Sequence, residues 1–409
     1  MGLGNLPVGL GGAVALITTP QLLAARDVPE TNIANVTSIM LVSTFTAFLF
    51  SPILDWRFSR RTYAVALALA SGLLCFTALI SISNLFLLSV ALLCLGWATN
   101  LNNAALGGWF SDLASTEETG PLGAWLTIAN IVGVGGTSAI AILAIRDLPP
   151  ILGPALISAL FLLPLPIYLA IPATAPDTKL AQETFAQFWR DVLALLSRPI
   201  VRWLLFFLAM PAASFALSNT LPGLGKDFGA SEAFVGAICG VGIAIAGLLG
   251  SLVVPPLARG LPPDRLYLIV GSSGAVFSLL LVLLPHTPTT FAIAIIGQNG
   301  FWAASFSVIA IIALRANGRH HPLAATQFAL LSAAAGLPLT YMQFIDGHAY
   351  AFGRTTGSFF ADATISLAAC AILGVMLFVL QQRASLKDRP RETLEPVSDM
   401  VAPDTLGDI

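Results

Sequence analysis

In this chain of 409 residues the side chains able to bind something are amides, and they are clustered. Asn100, Asn102 and Asn103 fall together in one apolar segment; Gln298 and Asn299 fall together in another. Asn130, Gln327, Tyr341 and Gln343 stand on neighbouring apolar segments, Thr18, Thr19 and Gln21 flank Pro20, and Asn219 lies further along. An amide carries donors and acceptors without charge, which suits a polar solute. Between apolar helices the same group also serves as glue, worth about 0.6 kcal/mol per bond. For a single amide glue is the plainer reading. Two clusters at matching places in the two halves fit the lining of a shared polar cavity, with Asn100, Asn102, Asn103, Gln298, Asn299, Gln327 and Gln21 as solute contacts. Trp109, Trp125 and Trp302 can stack on a ring, Trp109 joining the solute contacts, although a Trp near a span end equally anchors a membrane interface.

A second set is charged. The loop DWRFSRR places Asp55 just ahead of Arg57, Arg60 and Arg61, and Asp112, Glu117 and Glu118 lie at another span end on the same side. These groups can pair as a lock that holds one side of the molecule shut; positive-inside anchoring explains the arginines equally well.

Other chemistry is absent. His286, His320, His321 and His348 have no metal-ligand spacing. Cys75, Cys94, Cys239 and Cys370 sit apart within apolar runs and behave as small hydrophobes. There is no phosphate loop, nucleophile elbow or basic tract, so no enzyme, cofactor, metal or nucleic-acid partner is expected.

The elements that position these groups follow from composition. Hydrophobic residues make up 56% and charged residues 10%, against about 25% charged in a soluble protein. With a mean hydropathy of +0.86, the chain belongs in lipid, without a cleavable leader. At about 20 residues per crossing, roughly twelve spans emerge: near Leu6–Ala25, Ile33–Leu54, Tyr63–Ile82, Leu85–Leu113, Pro121–Ile145, Pro150–Ile171, Ile200–Leu221, Ala233–Leu257, Leu266–Leu284, Thr290–Leu314, Leu323–Ile345 and Ser358–Val379. An all-α membrane protein of twelve helices in two six-helix halves is expected.

The organisation is therefore a bundle over 1–172, a polar linker over 173–198, a second bundle over 199–382 and a disordered tail over 383–409. In the linker Phe185, Phe188, Trp189, Val192 and Leu196 share one helical face, with Lys179, Glu183, Arg190 and Asp191 elsewhere on the wheel; Asp177 or Thr178 caps it and Pro199 ends it. Such a helix rests on a lipid headgroup surface. With both termini inside, fifteen of the nineteen Lys and Arg residues face the cytoplasm and only Arg26, Arg146, Lys226 and Arg354 face out. The halves also echo each other: SPILDWR against PPLARG after the second span of each, GWATNLNN against GQNGFW in the fourth. Parallel six-span repeats mark a class of transporter. Gly133, Gly135 and Gly136, and Gly236, Gly240, Gly247 and Gly250, allow close helix approach and are sliding seams or tight packing.

At these residues the chain resembles the major facilitator superfamily, and within it the AmpG-type muropeptide permease and acetyl-coenzyme A transporter group. The resemblance rests on LPVGLGGAVALITTPQLLA with SPILD, on WFSDLASTEETGPLGAWL, and above all on AATQFALLSA at Ala324–Ala333. It implies secondary transport by alternating access, commonly proton-driven, of a large polar solute such as a cell-wall sugar–peptide fragment. The chain departs from the group where acids are usual: Asn102, Asn103, Gly107 and Gly108 replace an acid-bearing stretch, and Gln298 precedes Asn299 where glutamate is common. Trp56 follows Asp55 where the superfamily has an arginine. An amide cannot carry a proton, which leaves Asp112, Asp346 and Asp362 as carboxylates for coupling, although all three lie near span ends, where a structural role is the plainer reading. The expected protein is a monomeric inner-membrane transporter of a polar organic solute, with membrane lipid and a coupling proton as its other partners. The alternative is a sensor or assembly partner that keeps the bundle without transport.

Overall fold

The computed structural model describes residues 1–173, 185–319 and 321–387. The start of the linker, with Asp177 and Thr178, and most of the expected tail lie outside these residues. The described chain is helical, without a strand. In the first half the helices are α1 (Gly2–Ala24), α2 (Glu30–Thr46), α3 (Arg60–Ile80), α4 (Leu85–Leu113), α5 (Thr119–Asp147) and α6 (Leu152–Ala170). The linker helix is α7 (Phe185–Ser197). The second half has α8 (Pro199–Ala209), α9 (Ala233–Gly260), α10 (Pro263–Val282), α11 (Pro288–Asn317) and α12 (Ala324–Lys387), the last bent back at Arg354 so that its two arms make two crossings. Among the described residues eight helices, α12 taken as one, are long and apolar enough to cross a membrane. The twelve-helix layout is completed by α2, α5, the broken α8 segment and the second arm of α12.

Local chemistry sets these boundaries. Ser59, Asn84 and Thr287 cap α3, α4 and α11 by accepting from the backbone N–H three residues on. A continuous span over Ile200–Leu221 was expected; instead α8 stops at Ala209, ahead of Pro211, and the chain continues in short turns to Phe228. Pro211 lacks the N–H that would continue the ladder. At the bend of α12, Arg354 takes φ 50° and ψ −144°, outside any helix. The same helix runs to Lys387, five residues into the expected tail.

Helix α7 meets α8 at 70°. Among its described side chains Val192 and Leu195 are buried against Val201 and Leu323, with Trp56 and Leu330 beside them, while Trp189 is exposed. The glycines mostly pack within halves. Gly9 of α1 lies against Gly133 and the Asn130 backbone of α5, and Gly250 of α9 against the Gly300 carbonyl of α11. Of the glycines in the two expected seams Gly247 faces Ile131 of the other half, while nothing lies within 4 Å of a side chain built on Gly135, Gly136, Gly236 or Gly240.

The core has a shape that matters below. At the arginine-bearing end one apolar cluster runs through both halves, from Leu54, Ala104 and Leu122 to Val308, Ile311, Ala325 and Phe328. Toward the other end it divides. One cluster, with Val14, Leu79, Leu92 and Phe161, belongs to the first half; another, with Leu221, Phe228, Phe291 and Phe359, belongs to the second. The halves are thus fused at one end and separate at the other.

Candidate solute site and charged closure

The charged loop lies at the fused end. After α2 the chain turns through Asp55, with Arg57 in the left-handed region at φ 63° and its guanidinium 4.5 Å over the Trp56 ring. That turn delivers Arg60 to the first position of α3. Arg60 donates from Nε to Asp55 Oδ1 at 2.9 Å and from Nη1 to Asp112 Oδ2 at 2.6 Å. Its remaining nitrogen, Nη2, reaches the second half, donating to the carbonyls of His321 at 2.9 Å and Pro322 at 3.0 Å.

Asp55 crosses the same boundary. Its carboxylate, fully buried, accepts from the backbone N–H of Ala325 at 3.2 Å, and from the N–H and hydroxyl of Thr326 at 2.9 and 2.7 Å. These are first-turn donors of α12, which have no partner within their own helix. An acid from the first half therefore caps a helix of the second, where the helix dipole carries about half a positive charge. Two acids, one arginine and that dipole come close to electrical balance.

Flanking contacts widen the closure. Arg198 Nη1 lies 2.8 Å from His321 Nε2; Arg315 donates to Thr119 Oγ1 at 3.1 Å and Arg319 to the Ala114 carbonyl at 3.4 Å. Burial, then the Arg198 charge, holds the His321 imidazole below the ordinary histidine range. Gly108 of α4 permits the approach, since a Cβ there would sit 2.6 Å from the Ala325 nitrogen.

Not every expected member joins. Arg57 is spent on Trp56, and Arg61 donates to the Leu169 carbonyl of its own half at 3.2 Å. Glu117 and Glu118 are exposed, and Glu118 folds back on the Ser115 N–H at 2.8 Å, which holds its carboxyl below the usual range. The sequence reading missed Thr326, Arg198 and the carbonyls of His321 and Pro322. Their only signal was the AATQF stretch, whose backbone role no side-chain pattern reveals.

The amides divide by helix face. On α4, Asn100, Asn103 and Gly107 share a face at steps of three and four residues, and a Cβ on Gly107 would press on the Phe328 ring of α12. Asn103 is half-buried and its side chain meets no hydrogen-bond partner among the described residues, while Asn100 donates to the Gly96 carbonyl at 2.8 Å. Gln327 of α12, next to Phe328, is buried and its side chain likewise meets no hydrogen-bond partner among the described residues. Asn102 points the other way: fully buried, it donates to the Ala64 carbonyl at 2.8 Å and accepts from the Tyr168 hydroxyl at 3.1 Å. Gln298 is turned inside the second half, donating to Ser278 Oγ at 2.6 Å, and Asn299 donates to the Ile295 carbonyl of its own helix at 2.9 Å. Trp109 is buried against Tyr168 and donates to the Pro172 carbonyl at 3.0 Å, and Gln21 is exposed at the far end. Asn103 and Gln327 thus stand on the sides of α4 and α12 that meet around Phe328, and Asn100 shares the Asn103 face while held to Gly96 and Ser43 of its own half. Asn102, Gln298 and Trp109 are placed as internal fastenings instead, because each finds its partner inside its own bundle.

With the geometry in place, comparison with known proteins is decisive. A family model described as Major Facilitator Superfamily matches residues 1–340. The chain belongs to the Major Facilitator Superfamily. Among solved structures, this superfamily member is similar to the proton:xylose symporter XylE bound to 6-bromo-6-deoxy-D-glucose, at 13% identity and TM-score 0.69, over 91% of this chain and 93% of that one. It is similar to a bacterial homologue of the iron transporter ferroportin in an outward-facing state, at 16% identity and TM-score 0.66, over 93% and 98%. The E. coli fucose:proton symporter FucP matches at 14% identity and TM-score 0.65, over 92% and 97%. At these identities the likeness is one of fold. No curated protein matches in sequence. As a superfamily member the chain is a multi-pass membrane transporter rather than an enzyme.

Proposed function

We propose that this transporter moves a polar organic solute, muropeptide-like or related, across an inner membrane by rocking its halves, with both termini on the cytoplasmic side. One observation carries the reading: the apolar core is continuous across the halves at the arginine-bearing end and divided at the other. That is the shape of one limiting state of alternating access. If the arginine-rich end is cytoplasmic, as positive-inside sorting requires, the state is open to the outside. Asp55, Arg60 and Asp112 are then the lock of the cytoplasmic side. Asn103, Gln327 and Asn100 are the solute contacts, since the first two carry amides that no group among the described residues satisfies. The resemblance of the AATQFALLSA stretch to AmpG-type permeases supports the solute class.

The test is flux into proteoliposomes of a solute panel comprising muropeptides, acyl-coenzyme A compounds, sugars and peptides. For the solute transported, Asn103→Ala raises KM about tenfold, the equivalent of one hydrogen bond of about 1.4 kcal/mol. Asn102→Ala lowers the melting temperature and leaves KM in place. Equal KM effects from the two variants would refute the assignment of faces.

A further inference from the structure

We propose that Asp346 and Asp362, with the Ser214 hydroxyl beside them, form a proton-binding site inside the second half. Arg354, where α12 turns back, has Asp346 eight residues before it and Asp362 eight residues after. At 1.5 Å per residue both acids lie about 12 Å along their arms from the turn, and so at one level. The arms are also tied one helical turn nearer the bend on the second arm, where Ser358 Oγ donates to the Asp346 carbonyl at 2.8 Å. Asp346 is 1% exposed and Asp362 2%.

Neither acid has the partners that burial demands. Both carboxyl oxygens of Asp346, Oδ1 of Asp362 and the Ser214 hydroxyl are buried without a hydrogen-bond partner. Among the described residues no cation of this end, Lys226, His286, His348 or Arg354, pairs with either acid. Tyr350 donates to Asp227 at 2.7 Å, Tyr341 to the Ala209 carbonyl at 2.8 Å, and Cys370 to the Ala212 carbonyl at 3.3 Å. Arg354 stands at the turn and His286 lies 2.7 Å from the Thr355 hydroxyl. None of these, nor buried Tyr267, bonds to either acid. Two ionised carboxylates side by side without a cation would each bear a desolvation cost of several kcal/mol and repel one another.

One proton resolves this. It turns one acceptor into a donor, so that an O–H of one acid bonds to an oxygen of the other, and the Ser214 hydroxyl supplies a further donor. A hard divalent metal takes six or more oxygen ligands, more than these three side chains present. A route to the site is built into the second arm of α12. Thr355, Ser358, Asp362 and Ser366 are all buried and recur at steps of three and four residues, a polar stripe on one face. Thr355, at its outer end, meets exposed His286. The stripe therefore leads from the divided end of the molecule down to the pair.

As the site of a driving ion this rests on the transport reading; as a proton site it is tested without transport. Full-length protein in liposomes is examined by infrared difference spectroscopy on stepping the pH, in the absence of solute. At neutral pH the wild type shows the C=O stretch of one protonated, slowly deuterated carboxyl; Asp346→Asn and Asp362→Asn each lose it. Ser214→Ala, which spares both acids, keeps the band and shifts its frequency, so the readout survives if an asparagine variant fails to fold. Absence of the band at neutral pH, or its persistence in both asparagine variants, overturns the proposal. So does loss of the band on adding sodium at constant pH, which would make this a sodium site. A band with the expected variant pattern, but no flux of any solute, upholds the proton site and counts against the transport reading alone.

Discussion

Asp55→Asn is the sharpest probe of the closure. Opening the fused end breaks only the bonds that cross between halves. For Asp55 these are the acceptances from Ala325 N, Thr326 N and Thr326 Oγ1, whereas its pairing with Arg60 lies within the first half and survives. Asparagine keeps one acceptor oxygen, loses the charge that favours the α12 dipole, and turns an NH2 toward backbone N–H donors. With charged hydrogen bonds at about 1.5–3 kcal/mol each, and water replacing part of that in the open state, the net loss is about 2–3 kcal/mol from the closed state. At 1.36 kcal/mol per decade, the open fraction rises about 30- to 150-fold. The reporter is Ala258→Cys, at a position 7% exposed and beside Gly120 of the other half, in a chain whose four native cysteines are replaced. Its rate of modification by a membrane-impermeant thiol reagent follows the open fraction and should rise by that factor. Arg60→Ala should act in the same direction, and the double variant less than additively, since the two side chains share one network. A labelling rate within twofold of the parent in both single variants would refute the lock.

Two further outcomes follow from the same end. Gly108→Ala places a methyl 2.6 Å from the Ala325 nitrogen; overpacking at about 1–3 kcal/mol falls on the closed state alone and should speed labelling of the same reporter thiol about 5- to 150-fold. Acidification should do the same through His321, whose imidazole is held below its ordinary value of 6.5 while closed. Its neutral form is favoured in the closed state, so the closing contribution is present above pH 6.5 and is lost as the pH falls below it. His321→Asn should flatten that pH dependence, and an unchanged slope would show that another group titrates.

The fold was largely legible because lipid imposes a simple rule on sequence. The span over Leu85–Leu113 emerges with the observed ends, since Asn84 caps it and polar Ala114–Glu118 follows. The broken α8 was not legible, because its residues are as apolar as any span and only Pro211 hints at the stop. The amides show a different limit. Asn102 and Asn103 are adjacent, so they point about 100° apart on a helix, and composition cannot say which direction is the seam. Their counterpart Gln298 shows that helix fastening, too, recurs at matching places in the two halves. The closure was half visible: Asp55, Arg60 and Asp112 carry charge and stand out, while the partners that Asp55 and Arg60 find in the second half are, but for the Thr326 hydroxyl, backbone groups that every residue owns. Asp346 and Asp362 looked like span-end residues until the bend at Arg354 placed them level.

The cap that Asp55 lends to α12 has a consequence for the cycle itself. A helix whose opening turn is finished by a side chain of another bundle loses that finish whenever the bundles part. Each turnover would then include the fraying and rewinding of the residues around Ala325 and Thr326, a miniature folding step inside a rigid-body motion. Helices lengthen in about a nanosecond per residue, so rewinding cannot pace the cycle. What it supplies is coupling: parting the bundles strips Asp55 from the Ala325 and Thr326 N–H groups together.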